Sequence, residues 1–235
     1  GNNLELAKFW ASLGDVFILD AFGSCHRAHA STAGIAKFIP SCIGFLVEEE
    51  LNNLKDLIDI KKRPFTIMMG GAKIEDKLPI IKKLLPKCDC LLLGGGIANS
   101  FLKASGTDVG TSLATNNIDL LNELRLLLNT YKDKIIMPED YVYDGSSIMD
   151  LGEKTIIKYA KYIYNSELIF MNGSPGEFED ERFNKGTKAI LEILKNSNKE
   201  VILGGGDTIN ATQKFGYKNA FYFQSSGGGA TLEYI

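Results

Sequence analysis

Lysines beside glycines and an aspartate behind a glycine run are the residues here whose types and spacing could do chemistry. In GGAKIEDK, Lys73 and Lys77 stand four apart next to Gly70 and Gly71. On the opening turn of a helix that spacing puts both ammonium groups on one face, beside a turn whose backbone a phosphate can approach closely. Two solvated helix lysines is the plainer alternative; the adjoining glycines favour phosphate. In GGGDT, Asp207 follows three glycines at a strand end. A carboxylate there can hold Mg²⁺ against phosphate oxygens, since magnesium sites commonly combine one or two carboxylates with phosphate. It can also cap the helix that Thr208 begins, and the two roles are compatible. Glu179, in NGSPGEFE, could accept hydrogen bonds from ribose hydroxyls, or be an ordinary surface glutamate.

The elements that must position these residues repeat along the chain from residue 63 onward. PFTIMM leads to GGAK and a helical pattern, CDCLLL to GGGIA and NSFLKAS, and KIIM to PED. ELIFM leads to NGSPGEFED and then to RFNKGTKAILEILKN; EVIL leads to GGGDT and INATQKFG, and AFYFQ to SSGGGAT and LEYI. Short apolar runs alternating with helical patterns indicate βαβ units and a parallel sheet, an α/β fold. Right-handed crossovers then bring the glycine turns to the carboxyl edge of one sheet. One glycine turn is weak evidence of a ligand, but four on one edge point to a phosphorylated one. The patterns G-x-x-x-x-G-K-[ST] and G-x-G-x-x-G with a following acidic residue are absent, as is the protein-kinase set, which disfavours those nucleotide-binding classes.

The first part reads differently. LELAKFWASLG is a helix closed by Gly14, followed by the strand DVFILD and the loop AFGSCHRAHAST. IGFLVEEELNNLKDLIDI, over 43–60, is a connecting helix, acidic early and basic late as the helix dipole favours. The residues before it are too few to bury a core of their own. LEYI stops after barely one helical turn, so both ends read as cut.

Composition sets limits. The chain has 235 residues, 45% of them hydrophobic and 23% charged, with net charge −3. No basic surplus exists for a nucleic-acid partner. No apolar run is long enough to span a membrane, and the N-terminus shows no signal pattern. Four scattered cysteines make no disulfide framework, and Cys88 and Cys90 read as small buried thiols in a strand. The expected setting is a reduced cytoplasm.

Taken together, DAFGSCHRAHAS, GFLVEEEL, KRPF with GGAK-x-x-DK, LLLGGGIANSFLK, NG-x-x-G-x-FE, GGGDT and SSGGGATLE resemble the phosphoglycerate kinase family in order and spacing, from about residue 4 to Ile235. The resemblance implies two Rossmann-like lobes with parallel sheets, of which this chain holds the nucleotide lobe (61–235), the interdomain helix (43–60) and the C-terminal piece of the phosphoglycerate-binding lobe (1–42). It implies reversible, Mg²⁺-dependent phosphoryl transfer between 1,3-bisphosphoglycerate with ADP and 3-phosphoglycerate with ATP, in glycolysis, by a cytoplasmic monomer. Lys73 would follow the transferring group, and Gly228 and Gly229 would present a helix N-terminus to it. Lys77, Gly205, Gly206, Asp207 and Thr208 would take the nucleotide phosphates, with Asp207 reaching Mg²⁺ and Asn172 nearby. Gly71, Ala72, Gly95 and Gly96 would line the base slot, and Glu179 would hold the ribose. Arg27 would grip the phosphoglycerate, with His26 and His29 structural. Three departures stand out. NGSP replaces the family's NGP, Glu177 stands where an apolar residue is usual, and Ile148 aligns with a glycine that faces the base, in a stretch shorter than its counterpart. A nucleotide-binding module without catalysis is the competing expectation for the fragment alone.

Overall fold

The computed structural model describes residues 1–235, which divide into two compact units. One comprises Gly1–Asp59 with Ser225–Ile235, and the other Ile60–Gln224.

The first unit begins with helix α1 (Leu4–Ala11), whose Asn3 cap accepts from the Leu6 N–H. Strand β1 (Phe17–Leu19), the short helix α2 (Phe22–Cys25), strand β2 (Ser41–Ile43) and helix α3 (Phe45–Ile58) follow. β1 and β2 form a parallel pair. The second unit carries β3 (Phe65–Met69), α4 (Ile74–Leu84), β4 (Cys90–Leu93), α5 (Gly95–Ala104), α6 (Ile118–Thr130) and β5 (Ile135–Ile136). It continues with β6 (Tyr141–Asp144), β7 (Ser147–Leu151), α7 (Glu153–Asn165), β8 (Leu168–Asn172), α8 (Lys185–Asn196), β9 (Glu200–Gly204), α9 (Gly206–Lys214) and β10 (Phe223–Gln224). Helix α10 (Gly229–Tyr234) then lies in the first unit.

The main sheet runs β10-β9-β8-β3-β4-β5, and all its pairs are parallel. The chain winds outward from β3 to β5, then returns to the other side of β3 and winds outward again. This places a topological switch between β3 and β8, and in open α/β sheets ligands bind outside the carboxyl ends of strands at such a switch. β3 and β8 are buried at every residue, as strands covered on both faces require. One side of the core joins Met68, Leu92, Ile169, Met171 and Leu203 to Tyr159, Ile163, Ile190 and Leu194 from α7 and α8. Cys88 and Cys90 are buried free thiols, and burial pushes the Cys88 thiol up to about 12.

Two arrangements differ from the sequence reading. The stretch after β5 holds an antiparallel hairpin, β6–β7, with a register shift between Val142 and Tyr143. Residues 225–235, counted with the nucleotide lobe on sequence grounds, pack in the first unit. The buried Glu50 carboxylate of α3 draws them there, accepting from the Ser225 hydroxyl and from the Ser226 N–H and hydroxyl, each at 2.7 Å. Phe22 also meets Tyr234 edge to face, with ring centroids 6.3 Å apart.

Candidate nucleotide site

Four loops, after β3, β4, β8 and β9, meet at the carboxyl edge of the main sheet, and they pack directly on one another. The Gly70 N–H donates to the Asn172 carbonyl (3.0 Å), Gly71 to Ser174 (2.7 Å) and Gly95 to Pro175 (2.8 Å). A Cβ on Gly70 would lie 2.2 Å from the Ser174 oxygen, and one on Gly96 would lie 2.3 Å from the Ala72 oxygen. Glycine is thus required here by loop-against-loop contact as well as by any ligand, and the N–H groups of Gly71 and Gly95 are engaged within the protein. Helix α5 begins at Gly95 itself, so the glycines expected to form a turn before the helix make its first turn.

These loops enclose a cleft of about 340 Å³. Gly71, Ala72, Gly95, Gly96, Glu179 and Asp207, all expected in the site, line it. So do Asn99, Leu113, Ile148, Met149, Glu177 and Phe178. The lining combines two chemistries. Ile148, Met149, Leu113 and Phe178 contribute apolar side chains. Asp207 contributes a carboxylate on the first turn of α9, where the leading N–H groups of the helix have no partner within it. Gly205, at φ +88°, turns the chain from β9 into that helix, and Gly206 is open to its surroundings.

Beside this helix start, though not in the lining of the cleft, is a lysine–amide pair; a Cβ on Gly205 would lie 3.2 Å from Nδ2 of Asn172. Lys77 is half-buried and its ammonium group donates to Oδ1 of Asn172. Burial lowers its pKa, while the Asp207 and Asp76 carboxylates act to hold it up. Asn172 is fully buried, and with its oxygen engaged its Nδ2 has no partner. A buried N–H donor without an acceptor is costly unless a ligand supplies one. A cation whose charge is disfavoured by burial, beside an unmet donor and a helix N-terminus, suits an incoming anion.

The remaining expected residues fall as follows. Lys73 is exposed and is the N-cap of α4, not part of its first turn, so the two lysines do not share a helical face. Thr208 is fully buried, and its hydroxyl oxygen accepts the Gly173 N–H at 2.7 Å; its side chain holds the β8 loop, leaving its backbone for a ligand. Arg27, Gly228 and Gly229 belong to the first unit. There the Arg27 Nε–H donates to Nε2 of His26 at 3.3 Å, and a Cβ on Gly229 would lie 3.3 Å from that same nitrogen. Gly228 adopts φ +53°, ψ −113°, a conformation closed to side chains.

Some positioning residues escaped the sequence. Lys214, from the end of α9, donates to the carbonyls of Phe178 (2.9 Å) and Glu179 (2.8 Å) and fixes the loop that carries Glu179. A side-chain hydrogen bond with Glu179, then burial, raises the pKa of Glu177 at the rim. Asp150 is buried below the cleft, accepting from the N–H groups of Gly186 (2.6 Å) and Leu151 (2.9 Å). Only the sequence pair Asp144-Gly145, a hairpin signal, hinted at the strands around it.

Comparison with known proteins places these features in a family. The family model described as phosphoglycerate kinase matches residues 1–235. The phosphoglycerate kinase of Onion yellows phytoplasma is 42% identical over 257 aligned positions, which take in all of this chain and 64% of that protein. That of Mycoplasma pneumoniae is 41% identical, with 63% of its length covered. Among solved structures, phosphoglycerate kinase from Coxiella burnetii superposes with a TM-score of 0.87 at 36% identity, covering 99% of this chain and 66% of that one. The enzyme from Pyrococcus horikoshii gives 0.86 at 28% identity, with 65% of its chain covered. The chain therefore spans under two thirds of the length of these relatives.

Proposed function

The chain belongs to the phosphoglycerate kinase family, and from that premise we propose that its second unit binds Mg-ADP and Mg-ATP for phosphoryl transfer to and from 3-phosphoglycerate, in glycolysis. The observation that carries the reading is the half-buried Lys77 joined to Asn172, whose Nδ2 lacks a partner and lies beside Gly205, the N-cap of α9. Phosphates would supply what that pair lacks, and the apolar side chains of the neighbouring cleft suit a base. Glu179 is set to accept from the ribose.

No group of three or more histidine, cysteine or acidic side chains is arranged to hold a metal by itself. Asp207 alone, exposed on the first turn of α9, fits an Mg²⁺ that takes its other oxygens from the phosphates and water. Bound there, the ion would supply charge neutralisation. An acyl phosphate is already reactive, so the protein's part is positioning and charge rather than a nucleophile or strong base. Lys73, exposed at the N-cap of α4, would follow the moving group. Arg27, beside His26, would take the phosphoglycerate, and Gly228 with Gly229 the group in transfer.

No helix is long and apolar enough to cross a membrane; action as a cytoplasmic monomer completes the proposal. The 235-residue chain is expected to bind nucleotide but to give no turnover in a coupled assay with 3-phosphoglycerate and saturating Mg-ATP. Arg27 is the single guanidinium assigned to that substrate, and losing well-placed charge partners lowers rates by roughly 10²–10³ each. Turnover at the rate of an intact family member would overturn this placement of the substrate residues.

A further inference from the structure

The backbone on both sides of the Glu179 Cα is held by one side chain from elsewhere in the chain. The Lys214 ammonium group donates to the carbonyl of Phe178 at 2.9 Å and to that of Glu179 at 2.8 Å. These carbonyls belong to the two peptide planes that meet at the Glu179 Cα. Peptide units are planar and the backbone turns only at φ and ψ, so tying both planes to one group restrains both torsions of that single residue. The direction of its Cα–Cβ bond follows, and with it the aim of the exposed carboxylate that lines the cleft.

The neighbouring residues are anchored by other means. The Glu177 N–H donates to the Met149 carbonyl at 2.9 Å, and a Cβ on Gly176 would lie 2.1 Å from Oδ1 of Asp150. The Phe178 ring is buried and meets Phe215 edge to face, with centroids 6.5 Å apart. Beyond Glu179, Asp180 caps the turn Glu181–Phe183, accepting from the Arg182 N–H at 2.9 Å. Ring packing is not directional enough to orient a peptide plane, whereas a hydrogen bond weakens steeply as its angle drops. Lys214 also stands seven positions after Asp207 on α9, which places both on one face of the helix, about 10 Å apart along its axis. One helix thus carries the carboxylate assigned to Mg²⁺ at its start and the hold on Glu179 at its end.

We propose that Lys214 is a positioning residue that sets how strongly the site selects for ribose hydroxyls, by aiming Glu179 from the helix that carries Asp207. This rests on the reading of Glu179 as the ribose's partner. Without the ammonium group the carboxylate swings on a loosened backbone and loses the hydroxyls, while the phosphates keep their own contacts.

The test is calorimetric titration of the 235-residue chain with Mg-ADP and with Mg-2′,3′-dideoxy-ADP, which lacks both hydroxyls. The original chain should favour ADP by about tenfold or more, the worth of a hydrogen bond to an ionised acceptor. Lys214→Met should lose most of that preference by weakening ADP, with dideoxy-ADP affinity held within about twofold. Lys214→Gln, which keeps one amide donor, should fall between the two. Glu179→Ala should abolish the preference, and adding Lys214→Met to it should change neither affinity further, since nothing remains to be aimed. Equal losses for the two nucleotides in Lys214→Met and Lys214→Gln would show that Lys214 serves the fold or the overall charge, and would overturn the proposal. An original chain that binds ADP and dideoxy-ADP alike would remove Glu179 from the ribose, and the proposal with it, while the phosphate site stands. Failure of the original chain to bind either nucleotide would overturn the nucleotide reading itself.

Discussion

Replacing Asp150 by Asn sets a buried charge against a lost hydrogen bond, and pH separates the two. Asp150 is 2% exposed, and burial raises its pKa from 3.8 to about 6, against the lowering effect of the Gly186 and Leu151 N–H groups. The folded state therefore binds a proton more tightly than the unfolded chain. Between pH 6 and 3.8 the native protein holds a proton that the unfolded chain has released, so this group makes stability fall as pH rises. Across that window the difference amounts to about 3 kcal/mol. Asn is neutral throughout and lacks this slope. Its single oxygen can accept from only one of the two N–H groups, and the other is left buried at a cost of about 1–3 kcal/mol at every pH. The variant should thus be less stable than the original at pH 4 and close to it at pH 7. Urea unfolding at several pH values measures this, followed by tyrosine fluorescence, since every tyrosine but Tyr234 lies in the second unit. Other titrating groups are common to both proteins and cancel. A stability difference that stays flat from pH 4 to 7 would refute the assignment of a buried, ionising Asp150.

Thr208→Val keeps the shape of the side chain but strands the Gly173 N–H, so the second unit should lose about 1–3 kcal/mol of stability, read by thermal unfolding. Lys77, its pKa lowered by burial, should bind its proton more tightly when phosphate arrives; under alkaline conditions nucleotide binding should take up protons, shown by heats that vary with buffer, and Lys77→Met should abolish that dependence. In a chain with the relatives' full length, Lys73→Ala should lower kcat more than it raises the nucleotide KM, because a group that follows the phosphoryl group contributes mainly in the transition state.

The second unit was legible because its central strands are short, mainly apolar runs, most of them followed by glycine, so period and punctuation agreed. What remained hidden depended on contacts between segments far apart in sequence. The Gly71 and Gly95 N–H groups turn out to bond neighbouring loops, and nothing local to GGAK or GGGIA distinguishes a glycine kept for a phosphate from one kept for a carbonyl. Thr208 was read as the first residue of a helix capped by Asp207; the helix instead begins at Gly206 with Gly205 as its cap, and the Thr208 hydroxyl serves Gly173, 35 positions earlier. Lys73 and Lys77 were placed together on the opening turn of a helix by spacing; Lys73 is its N-cap, and Lys77, within the helix, meets Asn172. The hairpin of β6 and β7 was missed although Asp144-Gly145 signals it, since the flanking residues alternate too weakly to suggest strands. Ser225–Ile235 look like one more strand-to-helix repeat, and only the buried Glu50 shows that they pack with α3.

The central claim, that phosphates bind between Lys77, Asn172 and the α9 N-terminus with Mg²⁺ on Asp207, is tested most directly by calorimetric titration of ADP into the 235-residue chain and its Asp207→Ala variant, each with and without Mg²⁺. The account predicts that Mg²⁺ strengthens binding in the original chain and that the variant loses this enhancement, about tenfold or more for a metal ligand facing phosphate. An Mg²⁺ enhancement that survives intact in Asp207→Ala would contradict it.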